Sequence, residues 1–103
     1  MGRKKFDGVV EAVRYSPNGE IKWVRAYERR GPTFSDSLLL DRKTLMERLK
    51  DGQRYVTGRR LAYMASTFET GDTLRVLKEN GREVVVVGDR ATDRDWLAEV
   101  PIF

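Results

Sequence analysis

Hydrophobic and polar positions along the chain mark out strands joined by short turns, with one helical interruption. Phe6 to Tyr15 is rich in β-branched and aromatic residues and predicts a strand. Ser16-Pro17-Asn18-Gly19 follows as a turn with a mechanism: Pro17 presets φ, Asn18 tolerates the next position, and Gly19 supplies the left-handed residue. Glu20 to Glu28 is the predicted return strand. Arg29-Arg30-Gly31-Pro32 breaks the pattern and opens a loop, after which Ser37 to Leu40 reads as a short strand.

The period then changes from two to 3.6. Asp41 to Asp51 places Leu45, Met46 and Leu49 on one face and Arg42, Lys43, Glu47 and Lys50 outside it, which predicts an amphipathic helix. Asp41 suits the N-cap, Leu40 and Leu45 occupy staple positions, and Gly52 suits the left-handed residue after the end. Gln53 to Thr57 is a further strand, which Gly58 is expected to end. Residues 61–70 fit both helical and strand spacing, and are read as irregular or a short helix. Asp72 to Glu79 and Arg82 to Val87 form a hairpin about Asn80-Gly81. Val84 to Val87 lacks polar alternation, so that strand is expected to be covered on both faces. Gly88 to Arg94 is a polar loop. Trp96 to Ile102 alternates as a last edge strand, a short helix after Thr92 being the rival reading.

These elements predict a mainly β (α+β) domain: a small antiparallel barrel of six to seven short strands with one helix, OB-like or SH3-like in architecture. No βαβ alternation supports a doubly wound sheet. Met1 to Lys5 reads as a disordered basic arm, and 6–103 as one domain, as 103 residues suggest.

Composition narrows the chemistry. Cysteine and histidine are both absent, so disulfides, thiolate nucleophiles, Cys/His zinc sites and imidazole catalysis are excluded. Neither a GxxxxGK[ST] nor a GxGxxG string occurs. Any enzyme would have to work with carboxylates, Lys, Tyr or Ser/Thr alone, so the reading favours a small non-catalytic binding module without a cofactor, with a structural or protein-interaction domain as the alternative. The longest aliphatic run, Val84 to Val87, is far short of the roughly 20 residues a membrane helix needs. No apolar leader follows Met1, and Phe6 stands where a myristoylation signal wants Ser or Thr, so a cytoplasmic location is expected. Fourteen Arg against six Lys, with few amides, fits a thermophile and a GC-rich genome equally.

Charge is uneven. Residues 1–60 hold fifteen Lys/Arg against eight Asp/Glu, whereas residues 61–103 hold five against eight. A basic half can mark a nucleic-acid face, and the division can also pair the halves within a fold or between subunits of a homodimer.

Five candidate sites follow. Along Glu20 to Arg30, a period of two puts Ile21, Trp23, Arg25, Tyr27 and Arg29 on one face. There Trp and Tyr could stack on unpaired bases while Arg meets phosphate. Arg30, Arg54, Arg59, Arg60 and the arm Arg3-Lys4-Lys5 would extend the field. The bland alternative buries Ile21, Trp23 and Tyr27 and lays Arg25 along them or pairs it with Glu11 or Glu28. Asp89, Asp93 and Asp95 could in principle hold a hard cation, but Arg90 and Arg94 alternate with them, favouring a solvated loop. Sixteen carboxyl groups allow many glycosidase-like pairs without showing one. The basic helix reads as an ordinary helix packed on a sheet. Val100-Pro101-Ile102-Phe103 is too apolar to hang free, and docking on its own chain is preferred over exchange between subunits.

Overall fold

A computed structural model describes residues 6–61, 68–79, 81–88, 94–98 and 100–103. In chain order the elements are β1 (Gly8–Tyr15), β2 (Ile21–Arg30), β3 (Thr33–Phe34), β4 (Leu38–Asp41), α1 (Arg42–Lys50), β5 (Tyr55–Arg60), β6 (Phe68–Glu79) and β7 (Arg82–Val87). The seven strands form one curled, half-barrel sheet in the order β3-β2-β1-β5-β6-β7, with β4 also paired to β2.

The β1–β2 hairpin forms about the expected turn. Gly19 has φ 91°, its N–H donates to the Ser16 carbonyl at 2.9 Å, and the Asn18 side chain accepts from the Glu20 N–H at 3.0 Å. α1 is capped as the sequence requires: the Asp41 carboxylate accepts from the Thr44 N–H at 2.9 Å, holding its pKa below the usual carboxylate value. Leu45 and Met46 are buried, and α1 packs against β2, β4 and β6. All four valines Val84 to Val87 are buried.

Several details depart from the sequence reading. Gly58 does not end β5 but sits at an irregularity in the β5–β6 pairing, where an added Cβ would strike the Glu69 carbonyl. The ambiguous stretch 61–70 ends in strand, since β6 begins at Phe68; residues 62–67 lie outside the described residues. Thr33–Phe34 pairs with the end of β2 where only loop was expected. One pairing is parallel rather than antiparallel: Gly8 to Val10 of β1 lies beside Tyr55 to Thr57 of β5. Trp96 to Ile102 makes two isolated parallel bridges, Val86 with Trp96 and Val13 with Ile102, instead of a continuous strand. The apolar tail nevertheless docks on its own chain, through Val13 N–H to the Pro101 carbonyl at 2.8 Å and Phe103 N–H to the Val13 carbonyl at 2.9 Å.

The sheet has two apolar faces. Inside the curl, Val10, Val13, Val24, Ala26, Leu45, Tyr55, Val85 and Leu97 form the main core. On the outer face Val9, Tyr27 and Val56 form a smaller one, closed by Phe6, Phe34 and Phe68. Among the described residues no helix is long and apolar enough to cross a membrane.

Candidate functional site

β2 decides which side chains share a surface. Val24 and Ala26 point into the main core, so Trp23, Arg25, Tyr27 and Arg29 project from the opposite, outer face. Ile21 leaves that set. A register shift opposite Arg14/Tyr15 inserts Lys22 as an extra residue, and Ile21 turns into the core.

Trp23 is 36% exposed and lies opposite Arg14 of β1 and Asp41 of β4. Tyr27 does not share its exposure. It retains only 9% of its surface, and its ring is engaged by Phe68 at 5.2 Å and by the Arg60 guanidinium at 4.5 Å. The paired-ring platform expected of this strand is therefore reduced to one open ring. The cause is the second core, which the strand's alternation could not reveal. Burial, and next the adjacent Glu11 carboxylate, raise the Tyr27 pKa; its hydroxyl donates to Glu11 at 3.3 Å.

The outer-face arginines lie on rings. Arg25 sits over Phe103 at 4.6 Å, with Arg14 against the same ring at 5.6 Å. Arg29 sits over Phe34 at 4.8 Å and donates from Nε to the Phe6 carbonyl at 3.0 Å. Arg60 lies between Tyr27 and Phe68, donates to the Ser35 carbonyl at 3.4 Å, and has a buried Nε without a hydrogen-bond partner. Among the described residues, no carboxylate lies within ion-pair distance of Arg25, Arg29 or Arg60. Stacking on a ring leaves the in-plane N–H groups of a guanidinium available to an acceptor such as phosphate, although Arg29 and Arg60 already spend part of theirs on the Phe6 and Ser35 carbonyls.

The other expected arginines are dispersed. Arg30 points to the helix side of β2, near Glu28. Arg54 lies exposed at the start of β5, tied through its backbone to Asp7. Arg59 pairs with Glu69 at 2.8 Å on a different surface. Arg3, Lys4 and Lys5 lie outside the described residues. Sequence reasoning missed Arg14, Leu39 and Phe103. Arg14 was reachable from the hairpin alone, whereas Leu39 and Phe103 reach the site only through β4 pairing and tail docking.

The remaining candidates resolve into structure. Asp95 is not on a solvated loop: its side chain is fully buried and accepts from Ile21 N–H at 2.7 Å, Val85 N–H at 2.9 Å and Arg42 Nε at 2.8 Å. It ties the β1–β2 hairpin, β7 and α1 together. Asp89 and Asp93 lie outside the described residues, among which no group of three potential ligands converges on a metal position. The basic helix face is likewise committed, Arg42 to Asp95, Arg48 to Glu28 at 2.9 Å, and Lys50 to Glu83 at 2.6 Å. Glu28 also accepts from the buried Tyr55 hydroxyl at 2.6 Å. Burial alone would raise the Glu28 pKa, but the Tyr55 and Arg48 hydrogen bonds outweigh it and lower it. Burial and Glu28 hold the Tyr55 hydroxyl protonated far up the scale, so it serves as a donor rather than a nucleophile.

A second surface opens on the inner side of the sheet. Where β1 and β5 diverge, an open cleft of about 960 Å³ is walled by Trp96, Val100 and Pro101 over the buried Val10 and Leu97, and rimmed by Glu11, Glu69 and Asp72. Comparison with known protein families, with curated proteins and with solved structures found no match.

Proposed function

We propose that this domain is a non-catalytic binding module whose outer sheet face takes single-stranded nucleic acid. The observation that supports this reading is an open indole, Trp23, on the same face as guanidiniums that rest on rings rather than on carboxylates. An exposed ring offers every base a stacking surface, and unneutralised arginines beside it hold the backbone. Trp23 is the stacking group; Arg25 and Arg29 are the phosphate contacts, with Arg14 beside them. Tyr27 and Arg60 act indirectly, by holding the face together. Arg30, Arg54 and Arg59 contribute only to the long-range field.

The test is titration of a fluorescent oligonucleotide. Affinity should fall steeply with salt, and Trp23→Ala should weaken it at every salt concentration by about 1–3 kcal/mol. No binding at about 50 mM salt removes the proposal.

One observation favours a second reading, a protein-interaction domain that forms homodimers. Leu39, 53% exposed, sits opposite Arg25 on the outer face, next to Trp23 in the same sheet. Together they make an apolar margin of the kind interfaces use. Light scattering at two salt concentrations separates the readings. A dimer that survives high salt supports the apolar margin, a dimer lost in salt supports pairing of basic and acidic surfaces, and a monomer throughout rejects both.

A further inference from the structure

The inner cleft carries chemistry opposite to that of the outer face. We infer that it receives an extended, cationic peptide segment from another protein, laid along the free edge of β5. The edge arises from the topology. β1 pairs with β5 only as far as Val10 and Thr57, while β5 continues through Gly58 to Arg60. Over those last residues β5 is paired to β6 on one side and, among the described residues, to no strand on the other. A run of unpaired N–H and C=O groups is a template for strand addition.

The walls select what such a strand could carry. Trp96, Val100 and Pro101, which keep part of their surface open above the buried Val10 and Leu97, form an apolar wall for side chains on one side of an added strand. The rim has three carboxylates against the single guanidinium of Arg59: Glu69, which binds that guanidinium, Glu11, which accepts from the Tyr27 hydroxyl at the margin of the outer face, and Asp72. Lys or Arg side chains alternating with apolar ones therefore match both surfaces. The lip is formed by Ala98, a non-glycine residue held at φ 55°, a sparsely populated conformation of the kind found beside binding sites. The volume, about 960 Å³, also suits a segment of several residues better than a lone amine.

Trp96 on the cleft wall supplies the readout. In Trp23→Phe protein it is the sole indole, and a blocked hexapeptide alternating Val and Lys should change its emission saturably. Three comparisons decide the matter. The same peptide with Glu for Lys should not bind. Methylation of alternate peptide nitrogens, which keeps the charge but removes strand pairing, should weaken binding on the order of tenfold. Glu69→Gln/Asp72→Asn, at exposed positions that leave the fold intact, should do likewise while leaving oligonucleotide binding no weaker. No response of Trp96 to the Lys peptide overturns the inference. So does equal binding of the Glu or N-methylated peptide, or the same response to butylammonium, which would make the ligand a small cation. Because the oligonucleotide is assayed on the other face, either proposal can fail while the other stands.

Discussion

The two faces of the sheet treat arginine differently. On the helix side, Arg42 and Arg48 meet the buried or half-buried carboxylates Asp95 and Glu28 at 2.8 and 2.9 Å. On the outer side, Arg25, Arg29 and Arg60 lie on Phe103, Phe34 and Tyr27. Both arrangements cover apolar surface with the side-chain stem and fix the guanidinium plane. Only the first neutralises the charge. Arg42 and Arg48 are thus consumed by the fold, whereas Arg25, Arg29 and Arg60 have no carboxylate partner among the described residues.

Substitutions can break or sharpen that contrast. The largest effect is expected from Asp95→Asn, which leaves Arg42 beside a neutral group and disturbs a three-way clamp. It should cost about 3–5 kcal/mol, and hence lower the melting temperature by more than about 12 °C. A shift of a few degrees would mean that the clamp is dispensable. Tyr55→Phe should come next, at about 1.5–3 kcal/mol by urea midpoint, because it removes a donor to a charged acceptor.

Glu28 supplies the pH dependence. Its folded pKa lies below the ordinary glutamate value of 4.5, so its stabilisation is present above that value and is lost as pH falls through the folded pKa. Urea midpoints between pH 6 and about pH 3 should therefore fall less in Glu28→Gln than in the native protein. Parallel acid limbs would assign acid sensitivity elsewhere.

Outer-face substitutions should be milder. Arg60→Met keeps volume against Tyr27 and Phe68 but loses the cation, and should cost about 1 kcal/mol. A loss matching that of Asp95→Asn would erase the distinction between the faces. Arg25→Gln should be smallest, within about 0.5 kcal/mol in stability, while lowering the salt slope of oligonucleotide binding by about one. A destabilising Arg25→Gln with an unchanged slope would reassign that guanidinium to structure.

The elements written in local chemistry were legible. The turn at Gly19, the cap at Asp41 and the staple of Leu40 with Leu45 depend on residues within a few positions of each other. So does the buried valine run, since four consecutive apolar residues leave no side for water. The site was harder to read. Alternation along β2 correctly grouped Trp23, Arg25 and Arg29, but it cannot say whether a face meets solvent or a second layer of rings. Tyr27 was lost to that layer, and Ile21 to a bulge one residue wide. Asp95 seemed one acid among several in a polar loop because its donors come from residues far away in the chain.

The sequence by itself determined the chemistry available: no thiol, no imidazole, a basic first half, and a hairpin-rich barrel with one capped helix. Composition and neighbours along the chain suffice for those. Tertiary structure alone decided which arginines meet a carboxylate and which rest on rings, which rings remain open, and where β5, among the described residues, has an unpaired edge. Each of those depends on what long-range pairing brings within a few ångströms, and no local pattern encodes that.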